Sequence, residues 1–206
     1  MKAQATQEAE RELPPEGLTI GRCIKLIDLG TQESKYRDSV KHNRQILVMF
    51  ELPDHRMELD GKDVPMAISK KYTLSFNSKS NLRKDMEQWY GTKFDDKQIE
   101  ASGGFDPSKI LGRPAQLMIV HNDSGGKTYA NISGLMPLMA GVEAPNQENP
   151  SVLFDLDEID WDVYDSFSEG MKSWIAKSPE FQELEATRSG SAQPEPVKED
   201  YDDLPF

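Results

Sequence analysis

Hydrophobic residues cluster in short stretches along the chain. LTIGRCIKLIDL (Leu18 to Leu29) is rich in aliphatic and β-branched residues, and RQILVMFEL (Arg44 to Leu52) is nearly continuous apolar material. Both predict strands. The polar stretch TQESKYRDSVKHN (Thr31 to Asn43) predicts a mobile connection between them. A third strand is expected from Met66 to Phe76, reached through Pro53, Asp54 and the Asp60-Gly61 turn signal. Leu82, Met86 and Trp89 then fall at helical spacing, with Ser78 or Ser80 as a cap and Gly91 where a left-handed terminal residue is wanted. Asp106-Pro107 ahead of Ile110, Leu111 and Gly112 predicts a second short helix. AQLMIVH (Ala115 to His121) and TYANISGL (Thr128 to Leu135) predict a hairpin across Asn122 to Gly126.

Three strands, a helix and two strands within about 120 residues is the order of an oligonucleotide/oligosaccharide-binding (OB) barrel, whose helix plugs one end. The expected class is mainly β with short helices, an OB-fold five-stranded barrel with a helix between strands 3 and 4. A plain α+β sandwich is the alternative. After Pro137 the pattern changes. VLFDLDEIDWDVYDSF (Val152 to Phe167) alternates large apolar residues with aspartates. Met171, Trp174 and Ile175 predict a short amphipathic helix, and Ser178-Pro179 starts another carrying Phe181 and Leu184. The chain thus divides into a flexible arm (1–16), a barrel (17–139), an acidic extension with short helices (140–187) and a disordered acidic tail (188–206).

Charge follows the same division. Residues 1–16 carry a net −2, residues 17–139 carry +3 and residues 140–206 carry −13, within a total of −12 over 206 residues. The mildly basic centre keeps a nucleic-acid partner open where the whole-chain pI of 4.7 argues against one. A mean hydropathy of −0.67 with thirteen prolines fits partial disorder. The N-terminal residues lack the basic region and apolar core of a signal peptide, and no apolar run is long enough for a membrane helix, so a soluble, cytoplasmic protein is expected. One cysteine (Cys23) and three scattered histidines exclude an internal disulfide and zinc patterns built on cysteine pairs.

The sequence holds no phosphate loop, dinucleotide fingerprint, HExxH or nucleophile elbow, and no cofactor is expected. The acidic run Asp155, Asp157, Glu158, Asp160, Asp162 and Asp165 lacks the glycine and final glutamate of an EF-hand; a metal-dependent nuclease built on it is the weaker alternative. Single-stranded nucleic acid needs cations that follow the phosphates and rings on which bases stack. The candidates are Arg37, Lys41, Arg44, Lys70, Lys71 and Arg83 for phosphates, and Tyr36, Tyr72 and Tyr129 for stacking. Strand parity puts Tyr72 with Lys70, Leu74 and Phe76, so Tyr72 is as much a core residue as a platform; Tyr129 is expected outside and Trp89 in the core. At the C-terminus, Asp202, Asp203, Leu204, Pro205 and Phe206 join an apolar ring to a free carboxylate and flanking acids, which a partner with an apolar pocket and a basic rim captures as a unit.

This DDLPF end resembles the acidic tip of bacterial-type single-stranded DNA-binding proteins, which recruits replication and repair proteins. The stretches at 72–91, 104–121 and 126–138 resemble the OB-fold single-stranded DNA-binding proteins of tailed bacteriophages. The resemblance implies a non-enzymatic protein that binds single-stranded DNA with little sequence preference, in phage replication, recombination or repair within the host cytoplasm. Weak homodimer formation stays open. The competing reading is a protein-binding adaptor whose acidic segment mimics DNA. The −13 segment is expected to compete with DNA for the barrel.

Overall fold

The computed structural model describes residues 12–36 and 39–190, with only the backbone of Tyr36 and Ser189. The fold is mainly β, a curled antiparallel half-barrel of five strands with short helices. Strands β1 (Gly17–Tyr36), β2 (Ser39–Leu59) and β3 (Lys62–Thr73) form a meander, and β4 (Pro114–Ser124) and β5 (Lys127–Met136) form a hairpin. The order across the sheet is β3-β2-β1-β4-β5, and β3 and β5, at the two ends of that path, lie against each other. Between β3 and β4 come α1 (Asn81–Tyr90), α2 (Asp96–Ala101) and a 3₁₀ turn (Pro107–Ile110).

The local signals account for most of these elements. Ser80 caps α1 by accepting from the Arg83 N–H, and Gly91 closes it at φ 65°. Asp60-Gly61 and Gly125-Gly126 take positive φ at both turn positions, the twist that two-residue hairpins require. Helix α2, whose start is capped by Asp95, was not anticipated by the periodicity.

Two expected boundaries are corrected. Residues 31–43, expected as a mobile connection, extend β1 and β2 as a two-stranded ribbon, paired from Thr31↔Arg44 to Tyr36↔Ser39. Most of its described side chains are exposed, so alternation of apolar and polar residues gives no signal, while Tyr36 and Val40 suit strands and nothing before the tip breaks them. Strand β3 stops at Thr73; Leu74, at 38 % exposure, lies beyond the ladder.

The core lies on both sides of the long strands. Ile46, Val48, Phe50 and Leu52 of β2 enter the barrel, where α1 supplies Leu82, Met86 and Trp89. Trp89 is fully buried and donates its indole N–H to the Pro114 carbonyl at 2.9 Å. On the opposite face, Ile27, Leu29 and Leu47 form a second core with the chain after residue 150. There β6 (Val152–Phe154) pairs in parallel with β1, and α3 (Trp161–Asp165), α4 (Glu169–Ile175) and α5 (Pro179–Gly190) add Phe167, Ile175 and Phe181. The nearly continuous apolar run of β2 is thus explained by burial on both faces.

Polar side chains fasten the extension. The fully buried Glu51 carboxylate accepts from the Glu148 and Asn149 backbone N–H groups and from Asn149 Nδ2 at 2.8 to 3.0 Å. Glu180 on α5 accepts from the Thr31 N–H at 2.9 Å and its hydroxyl at 2.5 Å.

Candidate nucleic-acid interface

The candidate residues fall into two groups. Arg44 donates from Nε and Nη2 to buried Asp28, at 3.0 and 2.5 Å, and meets Asp157 at 2.9 Å and Asp155 at 3.6 Å. Hydrogen bonding to Asp28 raises its pKa against the opposing effect of burial. It therefore ties the ribbon root to the extension. Arg83 is buried and donates to Glu87, Asp96 and the Phe94 carbonyl. Tyr72 is 3 % exposed and its hydroxyl donates to Asp85 at 2.7 Å; burial first, then Asp85, pushes the phenol pKa up. Lys70 shares that carboxylate at 2.6 Å.

Lys41 on the ribbon, Lys71 on β3 and Tyr129 on β5 face solvent, with Tyr129 at 49 % exposure. Arg37 and the tip residues Asp202, Asp203, Leu204, Pro205 and Phe206 lie outside the described residues, as does the Tyr36 side chain.

Lys70, Lys71 and Tyr129 converge. Where β3 and β5 approach, an open cleft of about 660 Å³ is lined by these three, by Asn122 and Asn131, and by Trp174 from α4. Trp174 is 42 % exposed, and the Lys71 ammonium lies 5.2 Å from its ring centroid. A smaller hollow of about 220 Å³ shares Lys71 and Trp174 and runs toward the ribbon root past Gln45 and Lys177. The two hollows meet at the Lys71–Trp174 pair. Ammonium groups, amides and two exposed rings along one surface suit a phosphodiester chain with unstacked bases.

Sequence reasoning missed Trp174 as part of this surface. It adjoins Ile175, which is fully buried, and neighbours on a helix are turned about 100° apart, so both cannot occupy the centre of one buried face. That offset was the available signal.

The acidic run does not assemble as one site. Asp155 and Asp157 meet Arg44, Asp160 caps α3, and Asp165 meets Arg188 at 3.5 Å. Among the described residues, no group of three or more histidine, cysteine or acidic side chains is arranged to hold a metal ion, and no helix is long and apolar enough to cross a membrane. Comparison with known proteins finds no family model and no curated protein that matches the chain.

Proposed function

We propose that the chain is a non-enzymatic, sequence-tolerant single-stranded DNA-binding protein built on an OB-type barrel. The observation that carries this reading is the convergence of Lys70, Lys71, Tyr129 and Trp174 on one open cleft. The strand order, the contact between β3 and β5, and an α1 helix plugging the core between β3 and β4 support the barrel assignment. The strand's phosphates run past Lys71 and Lys177, and its bases stack on Tyr129 and Trp174.

The resemblance of residues 72–91, 104–121 and 126–138 to phage proteins supports a role in DNA replication, recombination or repair in the host cytoplasm. In the same reading, Asp202 to Phe206 recruit a replication or recombination protein. The test is fluorescence anisotropy of a labelled oligothymidine without magnesium across a salt series, with the full chain and with Lys71→Ala and Trp174→Ala. Salt-sensitive binding that both substitutions weaken is expected. No binding at low salt, with or without the acidic end, removes this function and favours a protein-binding adaptor.

A further inference from the structure

We propose that the smaller hollow is a nucleobase subsite, in which the Gln45 amide takes the hydrogen-bonding edge of one unstacked base. The proposal rests on the single-stranded DNA reading and adds a contact that stacking and phosphate attraction do not supply.

Gln45 sits on β2 between Gly30 of β1 and Thr73 of β3. Its side chain lines the hollow and is 9 % exposed. Its Oε1 is buried and accepts no hydrogen bond, the one side-chain oxygen or nitrogen among the described residues in that condition. Burying an acceptor without a donor costs free energy that an aliphatic side chain at the same place would not incur. An amide that turns toward the hollow, which Gln45 lines, meets a donor that arrives from outside.

The surroundings identify that donor's chemistry. The Trp174 ring forms one wall, and Lys71 and Lys177 stand on the same lining. An aromatic wall beside two ammonium groups suits a planar ring carried on a phosphate chain. The one acid on the lining, Glu33, is paired with Lys35 at 3.1 Å. At about 220 Å³, the hollow has room for more than a single water. An amide offers a donor beside an acceptor and reverses them by turning over. Every base edge presents both kinds of group, so Gln45 distinguishes a base from bare backbone without selecting a sequence.

The experiment compares oligothymidine with an abasic oligomer of equal length, on the full chain and on Gln45→Met. The expected result is a two- to tenfold weaker affinity of the variant for oligothymidine, the usual size of one hydrogen bond, with abasic affinity unchanged. Equal losses on both oligomers overturn the proposal, as does no change on either, which would leave the hollow to water. A second measurement needs no variant: 3-methylthymine removes the base donor, and the unaltered chain is expected to bind its oligomer more weakly than oligothymidine. Equal affinity for the two overturns the subsite even if Gln45→Met fails to fold. Binding of oligothymidine with these negative results leaves the DNA reading standing; no binding of any oligomer removes both.

Discussion

Tyr72 and Tyr129 separate a buried structural ring from an exposed ring within one half-barrel. The Tyr72 hydroxyl is held by a buried carboxylate, so Tyr72→Phe leaves Asp85 one donor short. It is expected to cost about 1 kcal/mol of stability in urea unfolding and to leave oligonucleotide affinity unchanged. Tyr129 is half exposed beside the cleft, and Tyr129→Ala is expected to do the reverse. Loss of a stacked base costs ~1–3 kcal/mol of binding, readable by anisotropy, while surface truncation moves stability by less than about 0.5 kcal/mol. Strand parity alone put Tyr129 outside and tied Tyr72 to the fate of its face. It gave no indication that Arg44 is engaged, because Asp28 and Asp157 lie 16 and 113 positions away and become neighbours only on folding; for Arg83, helical spacing offers Glu87 at i+4, and Asp96 joins it only on folding.

At the scale of elements, the extension forms one wall of the candidate site, since α4 carries Trp174. Its docking depends on Gly30, where φ is +66° and a Cβ would stand 2.4 Å from the Ser178 Cβ. Gly30→Ala combines left-handed strain of about 1–2 kcal/mol with that clash. It is expected to lower the melting temperature and weaken DNA binding together, whereas Tyr129→Ala affects binding alone. Unchanged DNA affinity in a destabilised Gly30→Ala chain would show that Trp174 is not needed.

Glu87 on α1 gives a pH test of another junction. The Lys93 ammonium, then Arg83 and the Phe94 N–H, lower its pKa to about 2 against desolvation. Its contribution to stability is present above its ordinary value near 4.5 and lost as pH falls toward 2. Thermal melts over that window should therefore show a smaller acid-dependent loss in Glu87→Gln than in the unaltered chain.

The helices α1, α4 and α5 were legible from spacing, caps and prolines. The ribbon and the docking of α4 on the sheet were not. A two-stranded ribbon exposed on both faces has no apolar period, and the surface on which an amphipathic helix rests is set by folding. The nearly unbroken apolar run of β2 and the apolar residues after 150 were the traces of a second covered face.

Across the whole molecule, charge sets the salt dependence expected of the proposed binding. The central net of +3 counts Arg44, Arg83 and Lys70, whose charges are held by carboxylates in the fold. Lys71 and Lys177 are exposed cations that line the proposed path, and Lys41 is exposed on the ribbon. At about 0.7 per neutralised phosphate, three contacts give a slope near −2 for log affinity against log salt. The acids after residue 139 are partly answered in the fold, as at Asp155, Asp157 and Asp165. Residues 191–206 add five acids and one lysine. If that end competes with DNA, a chain ending at Gly190, which keeps all of α5, binds oligothymidine more tightly than the full chain at low salt. The difference should narrow as salt shortens the screening length from about 30 Å at 0.01 M to about 8 Å at 0.15 M. Anisotropy titrations of both chains over that range test the competition; equal affinities throughout mean that the acidic end neither occupies the cleft nor repels the strand.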